Sequence, residues 1–136
     1  MGRRAARETA LKILYAMDFS RVEPLELVRY LKEDEEFRVD EPDEFFELIV
    51  DGVVRYRQRL DEMIGGYASQ WDFDRISIVD RNILRIALYE ILFIEENPFE
   101  VIVDEAIEIA KIYGAENSYR FINGVLDRTK EPREVL

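Results

Sequence analysis

The stretch that most constrains the fold runs from Ile83 to Ile94, where only Arg85 and Glu90 are charged and apolar residues surround the helix axis on nearly every side. A helix apolar all round has no solvent face, so it belongs at the centre of a bundle. It is too short to cross a bilayer, which takes about 18 apolar residues. Ser77 followed by Asp80 resembles a capping box with Asp in place of Glu, so the helix is expected from about residue 78 to 95. The chain must supply other helices, each with one apolar stripe, to cover it.

It does. Ala6, Ala10, Ile13, Leu14 and Met17 share one face of a helix from about Arg3 to Phe19. Pro24 opens a shorter helix with Leu27, Val28 and Leu31, which runs into the acid run Glu33–Glu36, read as a solvated loop. Pro42 starts the longest helix, with the stripe Phe45, Ile49, Val53, Tyr56, Leu60 and Ile64; Gly65-Gly66 is expected to loosen or end it. Trp71 to Ile76 reads as a connection with a turn or two of its own.

Asn97 can cap a helix that begins at Pro98, with Glu100 at the capping-box position and Gly114 as a left-handed stop. Its stripe is Ile102, Ala106, Ile109 and Tyr113. Residues 115–118 make a tight connection into a last helix with Ile122, Val125 and Leu126 inward and Gly124 as a close-packing position. Thr129 to Leu136 are expected to fray. No run alternates with period two long enough for a strand. The fold class is all-α: one domain over residues 1–136, a compact bundle of about six or seven helices around the central apolar one.

Composition removes most chemistry. There is no cysteine and no histidine, so disulfides, thiolate nucleophiles, Cys/His zinc sites and Ser-His dyads are impossible. No phosphate-cradling glycine loop is present, and Asp72-x-Asp74 lacks the downstream glycine of a calcium loop. No membrane span and no signal-peptide order are visible, which leads to the expectation of a soluble, cytoplasmic protein with no cofactor.

The net charge of −11 argues against nucleic acid only if spread evenly, and it is not. Residues 1–12 carry Arg3, Arg4, Arg7 and Lys12 against Glu8 alone, whereas residues 23–47 hold eleven acids and three bases. Screening over about 8 Å lets a basic face act apart from a distant acidic one. Cations at a helix N-terminus oppose the helix dipole, so nothing within the helix explains them. Lys111, Tyr113, Asn117, Tyr119, Arg120 and Phe121 crowd the junction of the last two helices. Cations, amides and rings together suit single-stranded nucleic acid; on residue type alone, core packing of Tyr113 and Phe121 is the simpler reading.

Three segments, RRAARETALKILYAMD, ISIVDRNILRIALYEI and NPFEVIVDEAIEIAKIYGAENSYRFINGVLD, in this order and spacing, resemble the NusB family of bacterial transcription antitermination factors. The resemblance implies two small helical subdomains and no catalysis. It implies binding to the boxA element of nascent RNA together with NusE, a small-subunit ribosomal protein, and joining of the pair to elongating RNA polymerase on ribosomal RNA operons. The RNA face carries over onto Arg3, Arg4, Arg7, Lys111, Asn117, Arg120 and Phe121, where Asn117 replaces an Asp frequent in the family. The NusE surface carries over onto Tyr15, Asp74, Arg75 and Asp80. Two rival readings are an RNA-docking module related to ribosomal RNA cytosine methyltransferases, for which the chain shows no cofactor-binding sequence, and a purely protein-docking helical adaptor.

Overall fold

The computed structural model describes residues 2–20, 22, 23, 25–27, 29, 33, 44–68 and 72–130. Among them are five α-helices: α1 (Arg3–Ser20), α2 (Glu44–Tyr67), α3 (Ile78–Phe93), α4 (Phe99–Tyr113) and α5 (Ser118–Asp127), with 3-10 turns at Phe73–Arg75 and Arg128–Lys130. Residues 25–27 and 29 are helical where the second helix is expected, and Leu27 packs on the core. Pro24, Val28, Leu31, most of the acid run, Pro42, Trp71 and the tail beyond Lys130 lie outside the described residues.

Helix α3 is the hub, packing against α1, α2, α4 and α5. Residues 82–90 are buried without a gap, as an all-round apolar surface requires. Its two interior charges are the points at which other elements lock. Arg85 donates to both oxygens of Asp61 on α2 at 2.6 and 2.9 Å, to Asp18 on α1 at 3.2 Å and to the Asn82 carbonyl at 2.9 Å. Glu90 accepts from Arg7 of α1 at 2.9 and 2.7 Å and from the Asn97 amide at 3.0 Å. A featureless apolar cylinder can slide and rotate against its neighbours; two buried ion pairs on different sides of it remove that freedom.

Four local expectations are corrected. The helix α2 runs through Gly65-Gly66 and breaks instead at Tyr56, whose φ of −104° and ψ of 15° are non-helical. Gly114 is extended, at φ −86° and ψ −179°, not left-handed. What demands glycine there is space: a Cβ would sit 2.7 Å from the Ala110 carbonyl oxygen and 2.6 Å from the Ser118 Cβ, the start of α5. Gly124 meets nothing, and the close approach falls at Gly52, directly under the Tyr89 ring. Asn97 does not cap α4, whose N-cap is Pro98, because its side chain is engaged elsewhere.

Candidate nucleic-acid interface

Two side-chain contacts set the layout of the basic face. Arg4 donates to both oxygens of Glu105 at 2.7 and 3.0 Å, and Lys12 lies over the Tyr113 ring at 5.7 Å. Both partners advance by eight residues, so the exposed edges of α1 and α4 run side by side in the same direction for about 12 Å. At the near end Arg3 lies over the Phe45 ring at 4.3 Å and donates to the Asn97 carbonyl at 3.0 Å. At the far end the seam meets the α4–α5 junction.

That junction is built around Tyr119. Lys111 and Arg120 each lie 5.5 Å from its ring centre, and the Arg120 Nε donates to its hydroxyl at 3.0 Å. Lys111 also pairs with Glu108 at 3.5 Å. Asn117 is exposed at the N-cap of α5 and makes no capping bond; the Ser118 hydroxyl instead accepts from the Ala115 N–H at 2.9 Å and closes the turn. Tyr113 and Phe121 are half-buried against the core.

The structure leaves Arg3 and Arg4 exposed at the start of the α1–α4 seam and Lys111, Asn117 and Arg120 exposed at the α4–α5 junction, and withdraws Arg7. Arg7 is 4% exposed and fully engaged by Glu90, itself 1% exposed. A buried carboxylate needs a buried cation, so Arg7 neutralises the core and is not presented to a ligand. Lys12 was not among the sequence candidates and joins the face; its signal is the eight-residue step from Arg4 along one helical side. Arg4 is half-exposed and tied up by Glu105, whose carboxyl it holds below the usual range through its hydrogen bonds. The Glu105 charge offsets that of Arg4, which weakens its pull on a phosphate.

The expected partner surface divides similarly. Tyr15 is 40% exposed, with its ring 5.0 Å from that of Phe19, which is 64% exposed. The Asn82 amide donates to Asp18 at 2.9 Å and brings this end of α1 to the first turns of α3. Asp74 and Arg75 are exposed on the 3-10 turn, which Arg81 clamps by donating to the carbonyls of Ile76 at 2.7 Å and Asp74 at 2.9 Å. Phe19, one turn beyond Tyr15, was not foreseen.

Asp80 is corrected: it is 8% exposed, with one oxygen lacking a partner among the described residues, because the start of α5 covers it. The Ser77 hydroxyl does accept from its N–H at 3.1 Å, which is half of a capping box. Burial pushes the Asp80 carboxyl above its ordinary value of 3.8, and the Ser118 and Ser77 hydroxyls pull it partly back. The folded state therefore holds this proton more tightly than the unfolded one. Its contribution favours folding below the ordinary value and is lost as pH rises through the raised one. Asp80→Asn will accordingly be at least as stable as the natural chain at neutral pH, with the difference shrinking as the solution is made acid. Thermal melts across the acid range check this, and a deficit largest at neutral pH would contradict it.

Against this geometry the relatives can be set. The NusB family model matches residues 4–131. The chain belongs to the NusB family. It is 46% identical over 134 residues to the transcription antitermination protein NusB of Elusimicrobium minutum, covering 97% of this chain and 95% of the relative. A solved structure of T. maritima NusB, 41% identical, superposes with a TM-score of 0.79 over 94% of this chain and 89% of that one. A crystal structure of the antitermination factors NusB and NusE in complex with dsRNA contains a chain 28% identical to this one, with a TM-score of 0.79 and 93% of each chain covered. Among the described residues of this family member, no helix is long and apolar enough to cross a membrane.

Proposed function

We propose that this protein is a transcription antitermination factor that binds boxA RNA of nascent transcripts jointly with NusE and, in that complex, supports processive elongation by RNA polymerase. Family membership supports the role. The observation that carries the RNA reading is the cation and aromatic seam along α1, α4 and the start of α5, in a chain whose net charge is −11. Arg3, Arg4, Lys12, Lys111 and Arg120 supply phosphate attraction, Tyr119 supplies a ring for base stacking, and Asn117 supplies an amide. The exposed Tyr15 and Phe19 rings with Asp74 and Arg75 are the surface proposed for NusE.

The rival adaptor reading makes a different prediction. Fluorescence anisotropy with labelled boxA RNA and a scrambled control, at two salt concentrations and with and without NusE, will show a preference for boxA that strengthens when NusE is added. The Arg3→Ala/Arg4→Ala pair will lower the dependence of log affinity on log salt by about 0.7 for each phosphate that is no longer neutralised. Tyr119→Ala will cost about 1–3 kcal/mol if a base stacks on it. Both variants will keep NusE. Equal weak binding to both RNAs with NusE still bound would leave the adaptor reading.

A further inference from the structure

We propose that Asn97 is a positioning residue for RNA: its amide ties the exposed Arg3 guanidinium to the buried Arg7–Glu90 pair and sets it as a pre-oriented phosphate fork. The inference rests on the reading of Arg3 as an RNA contact. The hydrogen bonds form one chain from core to solvent. Arg7 holds both oxygens of Glu90 at 2.9 and 2.7 Å, the Asn97 Nδ2 donates to Glu90 Oε1 at 3.0 Å, and the Arg3 terminal nitrogen donates to Asn97 Oδ1 at 3.0 Å. The Phe45 ring, 4.3 Å from the Arg3 guanidinium carbon, supports the same group from another side.

Residue 97 must accept from a cation on one side and donate to a carboxylate on the other. A side-chain amide does both. Aspartate would repel Glu90, and an apolar residue would serve neither neighbour. The choice of a neutral partner also separates Arg3 from Arg4. Arg4 is paired with Glu105, so a nearby carboxylate offsets its charge toward a phosphate. Arg3 is held by an amide, and the one carboxylate behind that amide is already neutralised by Arg7, so the charge of Arg3 remains available. With one of five donors committed to Asn97, others remain for a bidentate phosphate contact. An arginine fixed before binding has less rotamer freedom to lose on binding.

The test is a double-mutant cycle read as affinity for fluorescein-labelled boxA RNA with NusE present. Asn97→Ala will weaken binding by about three- to fivefold, the scale of one side chain's ordering. It will leave the salt dependence unchanged, since the cation is still there. Arg3→Ala will weaken binding further and lower the salt slope by about 0.7. In the Arg3→Ala background, Asn97→Ala will add nothing. Phe45→Leu, which removes the ring and leaves the hydrogen-bond chain, will behave like Asn97→Ala and keeps the test decisive if Asn97→Ala proves less stable. Equal losses with and without Arg3 would overturn the positioning role while leaving Arg3 an RNA contact. No effect of Arg3→Ala would instead remove Arg3 from the RNA face, and this inference with it.

Discussion

Replacing Glu90 with alanine will lower the free energy of unfolding by about 3–5 kcal/mol, the cost of leaving one member of a buried ion pair alone. The residue left behind is Arg7, 4% exposed, pinned against the apolar wall of α3 with no other carboxylate bonded to it among the described residues. Guanidinium groups do not shed their proton, so the cation cannot escape the penalty by neutralising itself. The contrast lies in the double variant. Arg7→Met with Glu90→Leu removes both charges at similar volume and will regain most of the lost stability. Urea denaturation followed by circular dichroism measures all three changes. A loss below about 1 kcal/mol for Glu90→Ala would show that Arg7 can reach water when unpaired.

Arg85→Met will have an effect of the same order, about 3–5 kcal/mol, through the opposite sign of charge. It strands two carboxylates: Asp18 on α1 and Asp61 on α2, whose side chains are 9% and 22% exposed. Asp18 retains Arg57 and the Asn82 amide, so most of the loss will come from Asp61 and from the broken tie between α2 and α3. Adding Asp61→Asn to Arg85→Met will therefore recover part of the stability, whereas Asp61→Asn alone will reduce it. The same urea titrations decide the matter: additive losses for the two substitutions would mean that the ion pair contributes little.

These two locks also show where sequence is informative and where it stops. The hub position of α3 was legible because its composition leaves no solvent face, and the stripes of α1, α2, α4 and α5 followed from steps of three and four. That Arg85 and Glu90 would be buried was already implied. Their partners were not, because Arg7 lies 83 positions from Glu90 and nothing local distinguishes it from Arg3 or Arg4. All three are arginines on the first turns of one helix, and tertiary packing alone decides which one turns inward.

Asn97 misled for the same reason. Its local context offered a cap, but the distant Arg3 and the nearer Glu90 compete for its amide and win. Asp80 looked exposed at a helix start because the sequence does not reveal that the α5 start will fold over it. Gly114 was read correctly as meaningful and wrongly as to meaning, whereas the break expected at Gly65-Gly66 and the close packing expected at Gly124 do not occur there. At Gly114 and Gly52 the constraint is the absence of a side chain, whereas backbone rules point to turns. The Tyr56 break falls on a residue with no helix-breaking character of its own, one turn after Gly52. On the candidate RNA face the residue types and the cluster at the α4–α5 junction were legible; the place of Lys12 follows only from the packing of α1 beside α4.

That side-by-side arrangement has an electrical consequence. Each helix behaves as though it carried about half a positive charge at its N-terminus and half a negative one at its C-terminus. Antiparallel neighbours cancel these ends, but α1 and α4 point the same way, and the Arg3–Asn97 bond places their beginnings together. The first turn of α1 contains no acid, and that of α4 contains Glu100, which faces Lys130 at 3.7 Å. The Arg3 and Arg4 end thus gathers two helix N-termini and two arginines on a molecule whose net charge is −11. A polyanionic strand would meet helix-end and arginine charge together there.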